Sequence, residues 1–417
     1  MGSFKAIFIP SIGTGGAERV AVNLMKKLNF DYLILLDDTH IAYPIPLPME
    51  RIICIKSPAS QSLIKKFINL PIRYFRLKRV KSKYKITTCL SLLEPANFLN
   101  VITKDRDKVI LSFRAHYSQQ FSEDPFLGNG LRRVIIRFFY KIMFKNMYNK
   151  SDIMIATSKA VKKDLIENFG LSEDKLVVIY NPIFIDDIKE LSRESLGEYE
   201  TIFNYPVLIT AGRLTKQKGQ WYLLRIFKEL KKEFPELKLL ILGEGELKEY
   251  LTGLSKDLGL KTYVWDKDQL SESFDVYFLG FQKNPFKFIA RSKLFVFPAF
   301  FEGFPNALAE SMACGTAVVS ADCRSGPREI LAPDTDFEYQ TKEPEYAEYG
   351  VLMPVFEVKF KRADEPLDEI ERMWVETLKE LLRREELIEM YRHKALQRAR
   401  DFDIEKIAEE WKNILRK

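Results

Sequence analysis

Short apolar runs alternate along this chain with longer stretches in which apolar residues recur every three or four positions. The first run, Ala6–Pro10, is followed by the turn Gly13-Thr14-Gly15-Gly16. Helical periodicity begins near Ala17, with Glu18 suited to the positive end of a helix. Further strands are expected at Asp31–Leu36, Lys108–Phe113, Asp152–Thr157 and Lys175–Tyr180, with Ser158 placed to cap the next helix. The pattern stops at Asn181-Pro182, crosses the polar stretch Ile183–Tyr205, and restarts. Pro206–Ala211 reads as a new first strand, Gly212–Gly219 as a new first turn, and Trp221, Leu224, Phe227 and Leu230 fall at helical spacing. Strands then follow at Lys238–Leu242, Val276–Leu279, Leu294–Phe297 and Thr316–Ser320. Such alternation predicts βαβ units and parallel sheets. The restart predicts two similar α/β domains, residues 1–182 and 206–398, joined by a linker over 183–205. A terminal helix over 399–417 is expected, able to pack back on the first domain. Pro333–Lys361, rich in acids and aromatics, reads as an inserted loop.

Composition narrows the class. A chain of 417 residues exceeds one ordinary core, and 46% apolar with 29% charged residues excludes disordered and collagen-like chains. Cys54, Cys89, Cys314 and Cys323 lie far apart with three histidines in the chain, which excludes a Cys/His zinc site and predicts reduced thiols. No leader is read at Met1-Gly2-Ser3. The most apolar stretch, Leu294–Ala321, is interrupted by Glu302, Gly303, Pro305, Glu310 and Gly315, so no membrane-spanning helix is expected.

The net charge of +7 is unevenly placed. Between Lys65 and Lys85 basic residues alternate with Ile, Leu, Phe and Tyr, without an acid, and Leu131–Lys150 has the same character. Cations interleaved with aromatics suit a membrane interface or a diphosphate-bearing lipid. Lys65, Lys66, Arg73, Arg76 and Arg79 are the residues expected to meet one.

The richest segment chemically is Phe301–Glu310. Gly303 permits a tight turn, Pro305 suits a helix start, and the first turn offers the backbone N–H groups of Asn306, Ala307 and Leu308 to an anion. Glu302 sits before that helix and Glu310 inside it. Their spacing, with seven residues between them, resembles the paired-glutamate motif of the retaining glycosyltransferases of family 4, which include phosphatidylinositol mannosyltransferases, sucrose synthases and glycan-assembly enzymes. Gly212-Arg213-Leu214 with Lys218-Gly219 resembles that family's donor-phosphate motif. Asn181-Pro182 resembles its hinge, and Gly15-Gly16 its first-domain glycine loop.

The resemblance implies a GT-B architecture: two Rossmann-like domains with parallel sheets facing across a cleft that holds the active site, and a C-terminal helical segment. Arg213 and Lys218 would neutralise the departing diphosphate of a UDP- or GDP-sugar in place of a metal ion, and no cofactor is expected. Glu302 would bind donor-sugar hydroxyls and Glu310 the ribose. Gly212, Gly303 and Phe304 would complete the donor site, and Gly15 and Gly16 would let backbone approach the donor. His116, after the Val109–Phe113 strand, would lie near the donor sugar; Arg114 is the alternative for that place. His40 and His393 read as surface residues. Gly243-Glu244-Gly245 reads as a turn near the donor, and Gly326-Pro327-Arg328-Glu329 as another helix start.

The implied activity is transfer of a hexose or N-acetylhexosamine to a saccharide, with a polyprenyl-diphosphate-linked acceptor at the cytoplasmic face of the membrane and no nucleic acid as partner. A nucleic-acid-binding protein would share the basic-aromatic stretches but needs neither the glutamate pair nor Arg213 and Lys218. A nicotinamide dehydrogenase would share the fold class, but the third fingerprint glycine and the ribose acid are missing. A sugar-nucleotide epimerase, a phosphorylase or a small-acceptor transferase of the same architecture is separated by its products.

Overall fold

The computed structural model describes residues 3–13, 15–39, 41–56, 63–123 and 131–416, without the side chains of 63–68, 122, 123, 131–133, 136, 137 and 139. The chain divides into two compact units, residues 1–182 with 404–417, and residues 183–403.

In the first unit the strands are β1 (Phe4–Ile9), β2 (Tyr32–Leu35), β3 (Ile52–Cys54), β4 (Ile86–Leu92), β5 (Lys108–Phe113), β6 (Ile153–Ala156) and β7 (Leu176–Val178). They form one parallel sheet in the order β3-β2-β1-β4-β5-β6-β7, with Ile7 opposite Leu33 on one side and Leu90 on the other. The central strands are apolar on both faces because helices cover both, as a parallel sheet requires. An aromatic cluster of Phe113, Tyr117, Phe144, Tyr148 and Phe169 fills one side. Ser158 caps the helix Lys159–Phe169 by accepting from Val161 N–H at 3.1 Å. The last helix, Ile404–Arg416, belongs to this unit and buries Ile407 and Trp411.

In the second unit the strands are β8 (Val207–Ala211), β9 (Lys238–Leu242), β10 (Thr262–Val264), β11 (Val276–Phe278), β12 (Leu294–Phe297), β13 (Ala317–Ala321), β14 (Glu345–Tyr346) and β15 (Val351–Met353). Their order is β10-β11-β9-β8-β12-β13-β15-β14, parallel except for β14. Trp221, Tyr222, Phe356 and Trp374 stack beneath it, Tyr222 and Phe356 with centroids 4.3 Å apart. The buried Arg225–Glu371 pair, joined by the carbonyls of Arg362, Glu365 and Pro366, anchors the segment that leads into the helix Glu369–Arg383.

Two expectations are corrected here. The stretch 183–205 is not an irregular linker: it forms the helix Ile185–Ser192 and a 3-10 helix over Gly197–Asn204, and buries Ile185, Ile188 and Ile202 in the second unit. Polar residues on the outer face hid that short apolar stripe. Likewise Pro333–Lys361 is no mere loop, since it supplies β14 and β15 to the sheet edge.

Candidate active site

In the second unit the chain lays down β8, β9, β10 and β11 to one side, then crosses back to place β12 next to β8. Where strand order reverses, the loops at the carboxyl ends of neighbouring strands diverge and leave a crevice, the usual ligand position in open α/β sheets. The loops there are Gly212–Gly219 after β8 and Pro298–Pro305 after β12.

These loops are tied together. Phe300 N–H donates to Gln217 O at 2.9 Å, and Gln217 Nε2 to Phe301 O at 2.7 Å. Gly219 has φ +63, and a Cβ there would stand 2.4 Å from Pro298 O, so the loops could not close with another residue. Across this seam Lys218 Nζ reaches Glu302 Oε1 at 2.5 Å and lies over the Phe297 ring. Glu302 is buried and Lys218 half-buried, whereas Arg213 is exposed and makes no ion pair among the described residues. A cation and a carboxylate thus share one small, partly dry locus.

The neighbouring turns act as braces. Leu214 N–H donates to Glu244 O at 2.9 Å, and a Cβ on Gly243 would lie 2.0 Å from Gly212 O. The Gly243-Glu244-Gly245 turn therefore serves the close approach of two loops. On the other side Ser325 Oγ donates to the carbonyls of Glu302 and Gly303 at 3.0 and 2.9 Å. Arg328 holds Asp322 and Glu345, with Nη2 2.6 Å from each carboxylate. Burial raises the Asp322 carboxyl, partly offset by Arg328 and the Thr341 N–H. Cys323, a buried thiol, is pushed well up by burial and then by the Glu302 carboxylate. Sequence reasoning missed Arg328 and Arg225 as structural cations; only their burial distinguishes them from surface arginines.

The helix after the second loop runs Asn306–Ala313. Leu308 N–H already donates to Pro305 O at 3.0 Å, so it does not serve an anion. The expected phosphate cradle narrows to Asn306 and Ala307. Glu310 lies half-buried a turn inside the helix, and Phe304 packs against Phe402 with centroids 5.2 Å apart.

The remaining expected residues fall in the first unit. Gly15 precedes the helix Gly16–Lys27, and the Glu18 carboxylate folds over it: a Cβ on Gly15 would meet Glu18 Oε2 at 2.3 Å. His116 is buried, its Nδ1 3.5 Å from Asp164, which also accepts from Ser118. Arg114 donates to Asn181 Oδ1, and burial lowers its pKa to about 9. Among the acceptor or membrane residues, Arg73 is only 4% exposed and Arg76 donates to the carbonyls of Ile55 and Lys56 at 2.8 Å. Arg73 serves the unit's own packing, which corrects its expected place at a lipid surface, whereas Arg76 keeps an exposed side chain. Arg79 is exposed. Lys65 and Lys66 lie outside the described side chains, and His40 outside the described residues. No described helix is long and apolar enough to cross a membrane.

Comparison with known proteins adds the chemistry. Residues 14–187 match the family described as Glycosyltransferase Family 4, and residues 190–345 match Glycosyl transferases group 1. An uncharacterized glycosyltransferase of Methanocaldococcus jannaschii is 35% identical over 88% of each chain. A Campylobacter jejuni protein, N-acetylgalactosamine-N,N'-diacetylbacillosaminyl-diphospho-undecaprenol 4-alpha-N-acetylgalactosaminyltransferase, is 30% identical over 96% of each chain. Among solved structures, the Anabaena protein HepE in complex with UDP superposes with a TM-score of 0.70 over 99% of each chain at 17% identity, a likeness of fold.

Proposed function

This chain belongs to the glycosyltransferases of group 1 and family 4, and from that membership we propose that it moves an N-acetylhexosamine or hexose, with retention, from a nucleoside-diphosphate sugar to a saccharide on a polyprenyl diphosphate. The observation that carries this reading is the meeting of Lys218 and Glu302 at the point where strand order reverses. When the bond from C1 of the donor sugar to the diphosphate breaks, its electron pair stays on the diphosphate. Lys218 and Arg213 offset that added charge from fixed positions, the arrangement that contributes most in such transfers. Glu302 aims Lys218 with one oxygen and offers the other to a sugar hydroxyl. Glu310 takes the ribose. The uridine base and the lipid-linked acceptor are supported by what the Anabaena structure holds and by the name of the C. jejuni relative.

The same reading brings the chain to the cytoplasmic face of a membrane. Support comes from the helix Leu131–Met143, where Val134, Ile135, Phe138 and Ile142 form an exposed apolar stripe flanked by exposed Lys141. Such a face suits the headgroup boundary of a bilayer.

The test uses UDP-N-acetylgalactosamine and UDP-glucose with a short prenyl-diphosphate N-acetylgalactosaminide, in EDTA. Transfer by the wild type with one of these donors is expected. Lys218→Ala and Glu302→Gln should each lower kcat/KM by roughly 100-fold or more. Wild-type transfer rates in both variants would contradict the reading.

A further inference from the structure

The first unit repeats the topological logic of the second. Its chain lays down β1, β2 and β3 to one side, then crosses back to place β4 next to β1. In the second unit the first strand laid down after the crossing is β12, and the loop after it carries Glu302. In the first unit that strand is β4, and the loop after it carries Glu94. Resting on the donor reading above for the second unit, we propose that Glu94 is the first unit's binding residue for a saccharide hydroxyl of the acceptor.

Several observations converge on it. Glu94 Oε2 accepts from Phe98 N–H at 3.4 Å, but Oε1 is shielded from solvent and has no hydrogen-bond partner among the described residues. Tyr148 Oη, Arg114 Nε and Thr157 Oγ1 share that condition. Arg114 and Thr157 follow β5 and β6, so three successive loops at one edge of the sheet hold shielded polar atoms without partners. A buried polar group left unsatisfied is costly, so such atoms at the carboxyl ends of three neighbouring strands mark a place completed by a ligand. The residue before Glu94 adds a second sign: Leu93 adopts φ +66, a conformation costly for a bulky side chain, which orients the loop.

The chemistry selects the ligand. An unpartnered carboxylate oxygen needs a donor, and it repels phosphate. Saccharide hydroxyls and acetamide N–H groups meet both conditions. Burial raises the Glu94 carboxyl to about 7, opposed in smaller part by Tyr148, the Phe98 N–H and Asn97. Tyr148 stands near enough for this without hydrogen-bonding geometry. Tyr117 also faces the carboxyl, with Arg114 and Asp164 beyond it. Burial holds both phenols well above their ordinary range, so they stay neutral. The ionised carboxylate accepts a hydroxyl proton more strongly than the neutral acid does. Saccharide binding should therefore weaken as pH falls through about 7.

The experiment measures, by calorimetry on the full chain without donor, the affinity of farnesyl-diphosphate N-acetylgalactosaminide relative to that of farnesyl diphosphate, from pH 5.5 to 8.5. The wild type should prefer the sugar-bearing compound by roughly tenfold or more above pH 7, and less below it. Glu94→Gln should abolish the preference and its pH dependence while leaving farnesyl diphosphate affinity and the UDP-induced thermal shift unchanged. Glu94→Asp, which withdraws the charge by one methylene, should keep the pH dependence at reduced preference; near-UV circular dichroism confirms that each variant is folded. A wild type without sugar preference, or a preference that survives in Glu94→Gln, overturns the assignment. Failure of the donor reading is seen separately, as a wild type that UDP does not stabilise.

Discussion

Lys218 and Glu302 show how much chemistry one contact holds. Both were legible in the sequence because the residues around them, Gly212, Gly219, Gly303 and Pro305, are the types that punctuate turns and helix starts. What the sequence could not show is that the two side chains meet, or that Leu308 spends its N–H on Pro305. Arg328 and Arg225 were illegible for the same reason: nothing local separates a buried arginine from a solvated one. Gly243 is the sharpest residue-scale test. Its φ of +133 and the 2.0 Å approach of a Cβ to Gly212 O mean that Gly243→Ala must force two loops apart. The variant should lose about 2 kcal/mol or more of stability and bind UDP more weakly. Urea unfolding checks this, and an unchanged midpoint would show that the braced loops tolerate separation.

At the scale of elements, strands with uniform apolar runs were legible almost to the residue: Lys108–Phe113, Lys238–Leu242 and Leu294–Phe297 coincide with β5, β9 and β12. β4 escaped because Thr87, Thr88, Cys89 and Ser91 break its apolar run, although Ser91 is buried and bonded to Asn97. Missing β4 meant missing the place of Glu94. The basic helix Leu63–Lys83 turns Arg73 and Lys81 inward, the latter to Asp107 at 2.7 Å, while Phe75, Arg76 and Arg79 stay exposed. The proposed lipid contact belongs to the helix Leu131–Met143, where Ile135 and Phe138 are 58% and 64% exposed. Ile135→Glu with Phe138→Glu should cut partitioning onto phosphatidylglycerol liposomes by roughly 100-fold or more, read by flotation, since each buried apolar side chain contributes about 1.5–3 kcal/mol. Transfer to a water-soluble acceptor should stay at the wild-type level. Undiminished flotation would remove this helix from the account.

For the whole molecule, the restart after Asn181-Pro182 revealed a tandem of α/β units, but not where the last helix belongs, because sequence order is silent about which core an amphipathic helix joins. Trp411 and Ile407 place it in the first unit. Each unit crosses back past its first strand, and each carries a glutamate in the loop after the strand laid down by that crossing, Glu302 in one and Glu94 in the other. The proposed site of bond breaking is the Glu302 locus, with its fixed Lys218 ammonium. A crystal structure with UDP, grown in EDTA, tests that most directly. Diphosphate oxygens should lie within about 2.7–3.2 Å of Lys218 Nζ, with Arg213 turned toward them. A diphosphate bound away from both cations would contradict the account.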